Sequence, residues 1–183
     1  PANLGTPGLR NSRFVPNAPP AILNVLPAPI LPAANQPFVV TAQVSDPDGL
    51  SSVVLKYRLD PSSTYSTIIM TDDGTGADAA AGDGIWTATV PGQPSNTMVA
   101  FYIQATDKAA SPAAATFPSD APTEECLARI GEVQPTGNFP VYRIWMTQTT
   151  LNTWNGNNRL DNSDYPVTFV LGNQRVIYNS GAR

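Results

Sequence analysis

An all-β sandwich of about seven strands, followed by a small C-terminal α+β extension, is the fold class the sequence predicts. Three observations carry that expectation. Short runs between residues 20 and 118 alternate apolar with polar side chains, the period of a half-buried strand. Clusters of Pro, Gly, Asp and Asn punctuate those runs at regular intervals. Hydrophobic residues make up 42% of the 183 residues, enough for a core, while charged residues are only 13%, about half the usual share.

Residues 1–19 read as an extended lead-in or linker, because Pro7, Pro16 and Pro19 with Gly5 and Gly8 prevent regular structure. A lead-in strand fits only near Arg13 to Val15. Ala21–Leu26 lies between prolines and suits an edge strand. In Pro37–Ser45 the side chains Val40, Ala42 and Val44 form one apolar face. Ser45-Asp46-Pro47-Asp48-Gly49 is a turn, although Asp46 and Asp48 also make a small acid cluster. Ser52–Leu59 sets Val53, Leu55, Tyr57 and Leu59 against Val54, Lys56 and Arg58. Thr64–Met70, Ile85–Val90, Met98–Thr106 and Ala113–Phe117 complete the set. With no cysteine pair to join two sheets, Trp86 and Tyr102 are expected to bind them by packing. This pattern fits an immunoglobulin-like or fibronectin type III-like sandwich over residues 20–118.

Residues 119–137 break the alternation and read as a linker. Thr123 to Ile130 suits a helical turn or two, with Glu124 and Glu125 at its positive end. Residues 138–183 have a different texture. Val141–Met146 is a strand, Thr147 is the N-cap candidate of a short helix through Trp154, and Asn155–Asn158 stops it. Tyr165–Leu171 and Arg175–Asn179 form a hairpin across Gly172-Asn173. About 46 residues bury little core alone, so this segment is expected to lean on the sandwich or on other sequence.

Composition excludes several function classes. Net charge is −4 and the only lysines are Lys56 and Lys108, so no basic surface exists for nucleic acid. The chain has no histidine and one cysteine, Cys126, which removes Ser-His-Asp chemistry, Cys/His zinc sites and any internal disulfide. Glu124 and Glu125 are expected to raise the Cys126 pKa, making it an inert thiol. No apolar run reaches the ~18 residues of a membrane span. A start at Pro1, without Met or signal peptide, is what a mature or excised fragment shows.

The distinctive stretch is Thr71–Thr87, TDDGTGADAAAGDGIWT. It places Asp72, Asp73, Asp78 and Asp83 with four glycines in one loop between strands. Seven of the 14 acidic residues fall between Asp46 and Asp83. A calcium ion takes six to eight oxygens, and four carboxylates with glycine-turned carbonyls offer that chemistry. Asp72 to Asp83 has the length of an EF-hand loop, but Gly74, Ala77 and Asp83 stand at the wrong positions, which rejects that motif. The other reading is turn chemistry, each carboxylate accepting local backbone hydrogen bonds. Glycosidase use lacks an acid in an apolar pocket. Trp145 and Trp154 suggest a carbohydrate platform or, more simply, packing.

Two stretches resemble known families. DPDGLSSVVLKYRLD followed by MTDDGTGADAAAGDGIWTATVPGQPSNTMVAFYIQATD, across residues 37–107, resembles a fibronectin-like domain of large secreted bacterial proteins, with Ala77 where a glycine is expected. YRIWMTQTTLNTWNGNNRLDNSDYPVTFVLGNQRVIYNSGAR resembles the start of the spore-coat protein H (CotH) kinase-like family. That family has an atypical protein-kinase fold whose nucleotide- and metal-binding residues lie further on. Arg143 and Arg183 match family positions without an assigned role, and no catalytic or cofactor-binding residue carries over. The short phrase Gly5-Thr6-Pro7-Gly8 with Asn11-Ser12 resembles the closing segment of lamin-tail domains.

These resemblances imply a non-catalytic, extracellular or cell-surface binding, spacer or assembly module of a multidomain bacterial CotH-family protein. The alternative is the N-terminal part of a CotH-type protein kinase. A glycan-binding module is a third class. The expected partners are other protein chains or neighbouring domains, including self-assembly into a filament through exposed strand edges.

Overall fold

A computed structural model of the chain describes residues 15–133, 135, 137, 141–158 and 162–182. Most of the lead-in, with its lamin-tail-like phrase, lies outside the described residues, and residues 15–20 form no strand. Seven strands follow: β1 (Ala21–Ala28), β2 (Phe38–Ser45), β3 (Leu50–Asp60), β4 (Ser66–Ile69), β5 (Ile85–Val90), β6 (Met98–Asp107) and β7 (Ala114–Phe117). They form the all-β sandwich the alternation predicts. One antiparallel sheet has the order β1-β2-β5, and the other runs β4-β3-β6-β7.

The core lies between the two sheets. From β2 it takes Phe38, Val40, Ala42 and Val44, from β3 Val53 and Leu55, and from β6 Val99, Phe101, Ile103 and Ala105. These are the alternate positions that a strand turns to one side. The aromatic contact across the sheets is Phe38 with Phe101, ring centroids 6.4 Å apart. Trp86 is only partly buried at the margin of this core. Tyr102 departs from expectation, because β6 turns it to the outer face, where its ring meets Tyr65 edge-on at 5.4 Å.

The helix expected over Thr123–Ile130 does not form. Cys126–Arg129 is instead a strand, β8, pairing antiparallel with Met98–Phe101 of β6. β7 pairs with Ile103–Thr106 of the same edge, so β7 and β8 lie end to end along β6. Part of the expected linker therefore belongs to the sandwich. Cys126, Ala128 and Ile130 enter the core, and unpaired backbone of the β6 edge decides the conformation over local helix preference. Burial, then the Glu125 charge, pushes the Cys126 thiol well up, as expected for an inert buried thiol.

The C-terminal part has β9 (Tyr142–Trp145), α1 (Gln148–Gly156), β10 (Tyr165–Leu171) and β11 (Arg175–Ala182), the strands ordered β11-β10-β9. Thr147 caps α1, its side chain accepting the Thr150 N–H. This small unit leans on the outer face of the sandwich. Trp145, Val170 and Val176 pack against Met98, Ala100 and Leu127 in a second cluster. β6 is consequently buried on both faces for most of its length. A bulge in β11 opposite Thr168, with Asn179 at φ 53°, accompanies the insertion of Tyr178 against Phe101 and Phe117. Trp145 is buried and Trp154 stacks on Tyr165 at 5.8 Å, so both pack within the chain. Among the described residues no helix is long and apolar enough to cross a membrane.

Candidate metal centre

The acidic loop leaves the sandwich between β4 and β5. Its base is closed by Thr71 and Thr87, which exchange two backbone hydrogen bonds of 3.0 and 2.9 Å. Asp72 stands one residue inside that closure. Gly74 has φ 71°, and a Cβ there would lie 2.9 Å from the Ala81 nitrogen. Only glycine satisfies both the backbone angle and the contact.

The fold brings together three of the four candidate aspartates. One carboxylate oxygen from each of Asp72, Asp78 and Asp83 lies within 4.8 Å of the others. Asp73 is not among them. Its Oδ1 turns back to accept the Thr75 N–H at 2.9 Å and hydroxyl at 2.8 Å. Those hydrogen bonds hold the Asp73 carboxyl below its usual pKa.

Turn chemistry and ligation share the remaining carboxylates. Asp72 Oδ1 accepts the Gly82 and Asp83 N–H groups at 2.7 and 3.2 Å, and Oδ2 accepts Gly84 N–H at 3.0 Å. Asp78 Oδ2 accepts Gly74 N–H at 2.6 Å, and Asp83 Oδ1 accepts Ile85 N–H at 2.8 Å. Asp78 Oδ1 and Asp83 Oδ2 accept no hydrogen bond from the described residues. Asp78 is also only 6% exposed, an unusual place for a carboxylate without a cationic neighbour.

The donor set fits a hard cation. An ion 2.3–2.6 Å from its ligands bridges two oxygens up to about 4.6–5.2 Å apart, so each pair among the three carboxylates, all within 4.8 Å, is within bridging reach. The donors are all oxygens, their summed charge is negative, and the loop from Asp72 to Gly84 holds no Lys or Arg. Asp46 and Asp48 form no comparable site. Asp46 Oδ1 accepts the Asp48 N–H at 2.8 Å, and the Gly49 N–H reaches the Asp46 carbonyl at 3.1 Å, as a turn requires.

A half-buried ionic network, missed in the sequence reading, lies along β3, and Asp60 Oδ2 joins it to the C-terminal unit by accepting the Gln148 N–H. Arg58 Nε donates to both oxygens of Glu125 at 2.9 and 3.1 Å, and its Nη1 reaches Asp60 Oδ1 at 2.9 Å. Tyr65 donates its hydroxyl to Glu125. Burial and that hydrogen bond push the Tyr65 pKa up to about 12. The signal in the sequence was Arg58 and Asp60 on the nominally wet face of β3, with nothing to show what would cover them.

The chain is thus a β-sandwich protein with an aspartate cluster on a rim loop, carrying a small strand–helix–hairpin unit. No protein-family model matches it, and no curated protein matches it.

Proposed function

We propose that this chain is a non-catalytic, extracellular binding, spacer or assembly module whose rim loop binds a calcium ion through Asp72, Asp78 and Asp83. The convergence of these carboxylates within 4.8 Å, one of them nearly buried, carries the reading. Calcium is favoured over magnesium because the ligands sit on a glycine-rich loop whose geometry adapts to six to eight oxygens. An ion there ties the two ends of the β4–β5 connection together and stiffens the rim. Such extracellular sites bind at about 10⁻⁴ to 10⁻³ M.

The assembly role rests on the outer face of the β9–β10–β11 sheet. Tyr142, Ile144 and Ile177 are 60%, 52% and 39% exposed there, an apolar surface suited to a neighbouring domain or chain. The low charge and the resemblance of residues 37–107 to secreted bacterial domains support the extracellular, cell-surface setting.

Thermal melting in about 10 mM calcium and in chelator tests the metal reading. With those affinities, calcium adds about 1.4–2.7 kcal/mol of stability. Identical melting curves in the two buffers reject it.

A second reading is the N-terminal part of a CotH-type kinase. Its support is the order of β9, α1 and the β10–β11 hairpin, the same order that the resemblance implies. Saturable ATP binding by the chain would favour this reading over a non-catalytic module.

A further inference from the structure

Residues 21–129 complete both sandwich sheets without help from the C-terminal unit. The reverse does not hold. Trp145, Val170 and Val176 take their burial from Met98, Ala100 and Leu127 of the sandwich, with Ile30 and Leu31 at the margin. Helix α1 buries no side chain. A body of this size with so little core of its own lies at the low-stability end of a structure.

The sandwich edge beneath this unit has a break. β7 ends with Phe117 opposite Ile103, and β8 begins with Cys126 opposite Phe101, so neither strand pairs with Tyr102 on that edge of β6. Tyr178 of β11 fills the break, its ring edge-on to Phe101 and Phe117 at 5.7 and 6.4 Å. Its hydroxyl is buried and has no hydrogen-bond partner among the described residues. The ring therefore favours the closed arrangement. The hydroxyl opposes it, because water satisfies that group once the ring withdraws.

The polar contacts that cross to the sandwich strands can also be exchanged for water. Thr168 Oγ1 accepts the Leu127 N–H at 3.2 Å, and Asp60 Oδ2 accepts the Gln148 N–H at 2.7 Å. Release of the unit returns Leu127 and Asp60 to solvent, so neither is left buried and unpaired. Arg143 and Trp145 bond Glu132, in the segment that connects the two parts, and those contacts can travel with the unit.

We propose that the C-terminal unit is a detachable cover latched by Tyr178. It comes away while both sandwich sheets stay paired, and its release bares the apolar strip of Met98, Ala100 and Leu127. The cover thus switches this stretch of β6 between burial on both faces and a wet outer face.

Native-state amide hydrogen exchange of the full chain in increasing urea is the test. The Leu127 N–H is the reporter, because its acceptor Thr168 belongs to the cover. Its opening should have a urea slope above zero but well below that of the slowest amides in β2 and β6, since less surface is exposed. Val40→Ala, in the sandwich core, should speed those slow amides about tenfold and leave Leu127 unchanged. Tyr178→Phe should slow Leu127 exchange about fivefold, and Tyr178→Ala should speed it about a hundredfold or more. A Leu127 slope equal to that of the core amides, or faster Leu127 exchange in Val40→Ala, would overturn the cover, because the unit would then leave only when the sandwich unfolds. A zero slope would overturn it as well, by reducing the opening to fraying of β8. Unchanged Leu127 exchange in both Tyr178 variants would overturn the latch.

Discussion

Asp60 Oδ2 accepts the backbone N–H of Gln148 at 2.7 Å, across 88 residues of chain. A carboxylate at the end of β3 thereby serves the positive end of α1, a favourable use of a helix terminus. Its other oxygen holds Arg58, which in turn holds Glu125 beside β8. One carboxylate thus ties the sandwich sheet, the β8 segment and the C-terminal unit into a single arrangement.

Breaking that network leaves a buried charge. The side chains of Arg58 and Glu125 are 12% and 4% exposed. Glu125→Ala should cost about 3 kcal/mol in urea unfolding, because Arg58 keeps only Asp60 and the Ser62 carbonyl. Replacing both residues by apolar side chains of similar volume should recover much of the loss. A cost below about 0.5 kcal/mol for the single change would mark the pair as solvated.

Tyr178 makes opposite predictions for two substitutions. Its ring packs edge-on against Phe101 at 5.7 Å and Phe117 at 6.4 Å, so Tyr178→Ala should cost about 3–5 kcal/mol. Its hydroxyl is buried without a partner among the described residues. Tyr178→Phe removes an unsatisfied group and should raise stability by about 1 kcal/mol. Loss of stability in Tyr178→Phe would show that the hydroxyl is satisfied in solution.

The pH dependence at Tyr65 follows from its raised pKa. The neutral phenol is favoured in the folded chain, with its pKa near 12 against 10.0 for a free tyrosine. The stability contributed by Tyr65 is complete below pH 10 and is lost as pH rises from 10 through about 12. Stability measured across that window should fall more steeply in the native chain than in Tyr65→Phe. Equal slopes would place the phenol in an ordinary aqueous environment.

In the loop, Gly74 and Gly76 both have positive φ, 71° and 64°, but only Gly74 lacks room for a Cβ. Gly76→Ala should cost about 1–2 kcal/mol from the backbone alone. Gly74→Ala should cost more and also weaken metal binding, because Gly74 N–H holds Asp78. Equal costs for the two would mean that the Ala81 backbone yields easily.

The phase of β2 was legible because alternation fixes which side chains face inward. Val40, Ala42 and Val44 were readable as core from spacing alone, and they are buried. So were the Thr147 cap and the hairpin at Gly172-Asn173, whose signals are local. β8 was not legible. Thr123-Glu124-Glu125 imitates a helix start, and only pairing with β6 shows that Cys126, Ala128 and Ile130 alternate into the core. Tyr102 was misplaced because β6 is apolar on both sides, and alternation cannot tell inner from outer when both are buried. In the loop the sequence offered four aspartates. The choice of Asp72 over Asp73 depends on which of two neighbours turns back to Thr75, a matter of loop geometry rather than composition.

Calorimetric titration with calcium, comparing the native chain with Asp78→Asn, tests the metal centre most directly. One calcium per chain should bind, with Kd at or below about 10⁻³ M. The substitution should abolish that binding while the sandwich still melts cooperatively. No heat of binding in the native chain, or the same heat in Asp78→Asn, would contradict the metal centre.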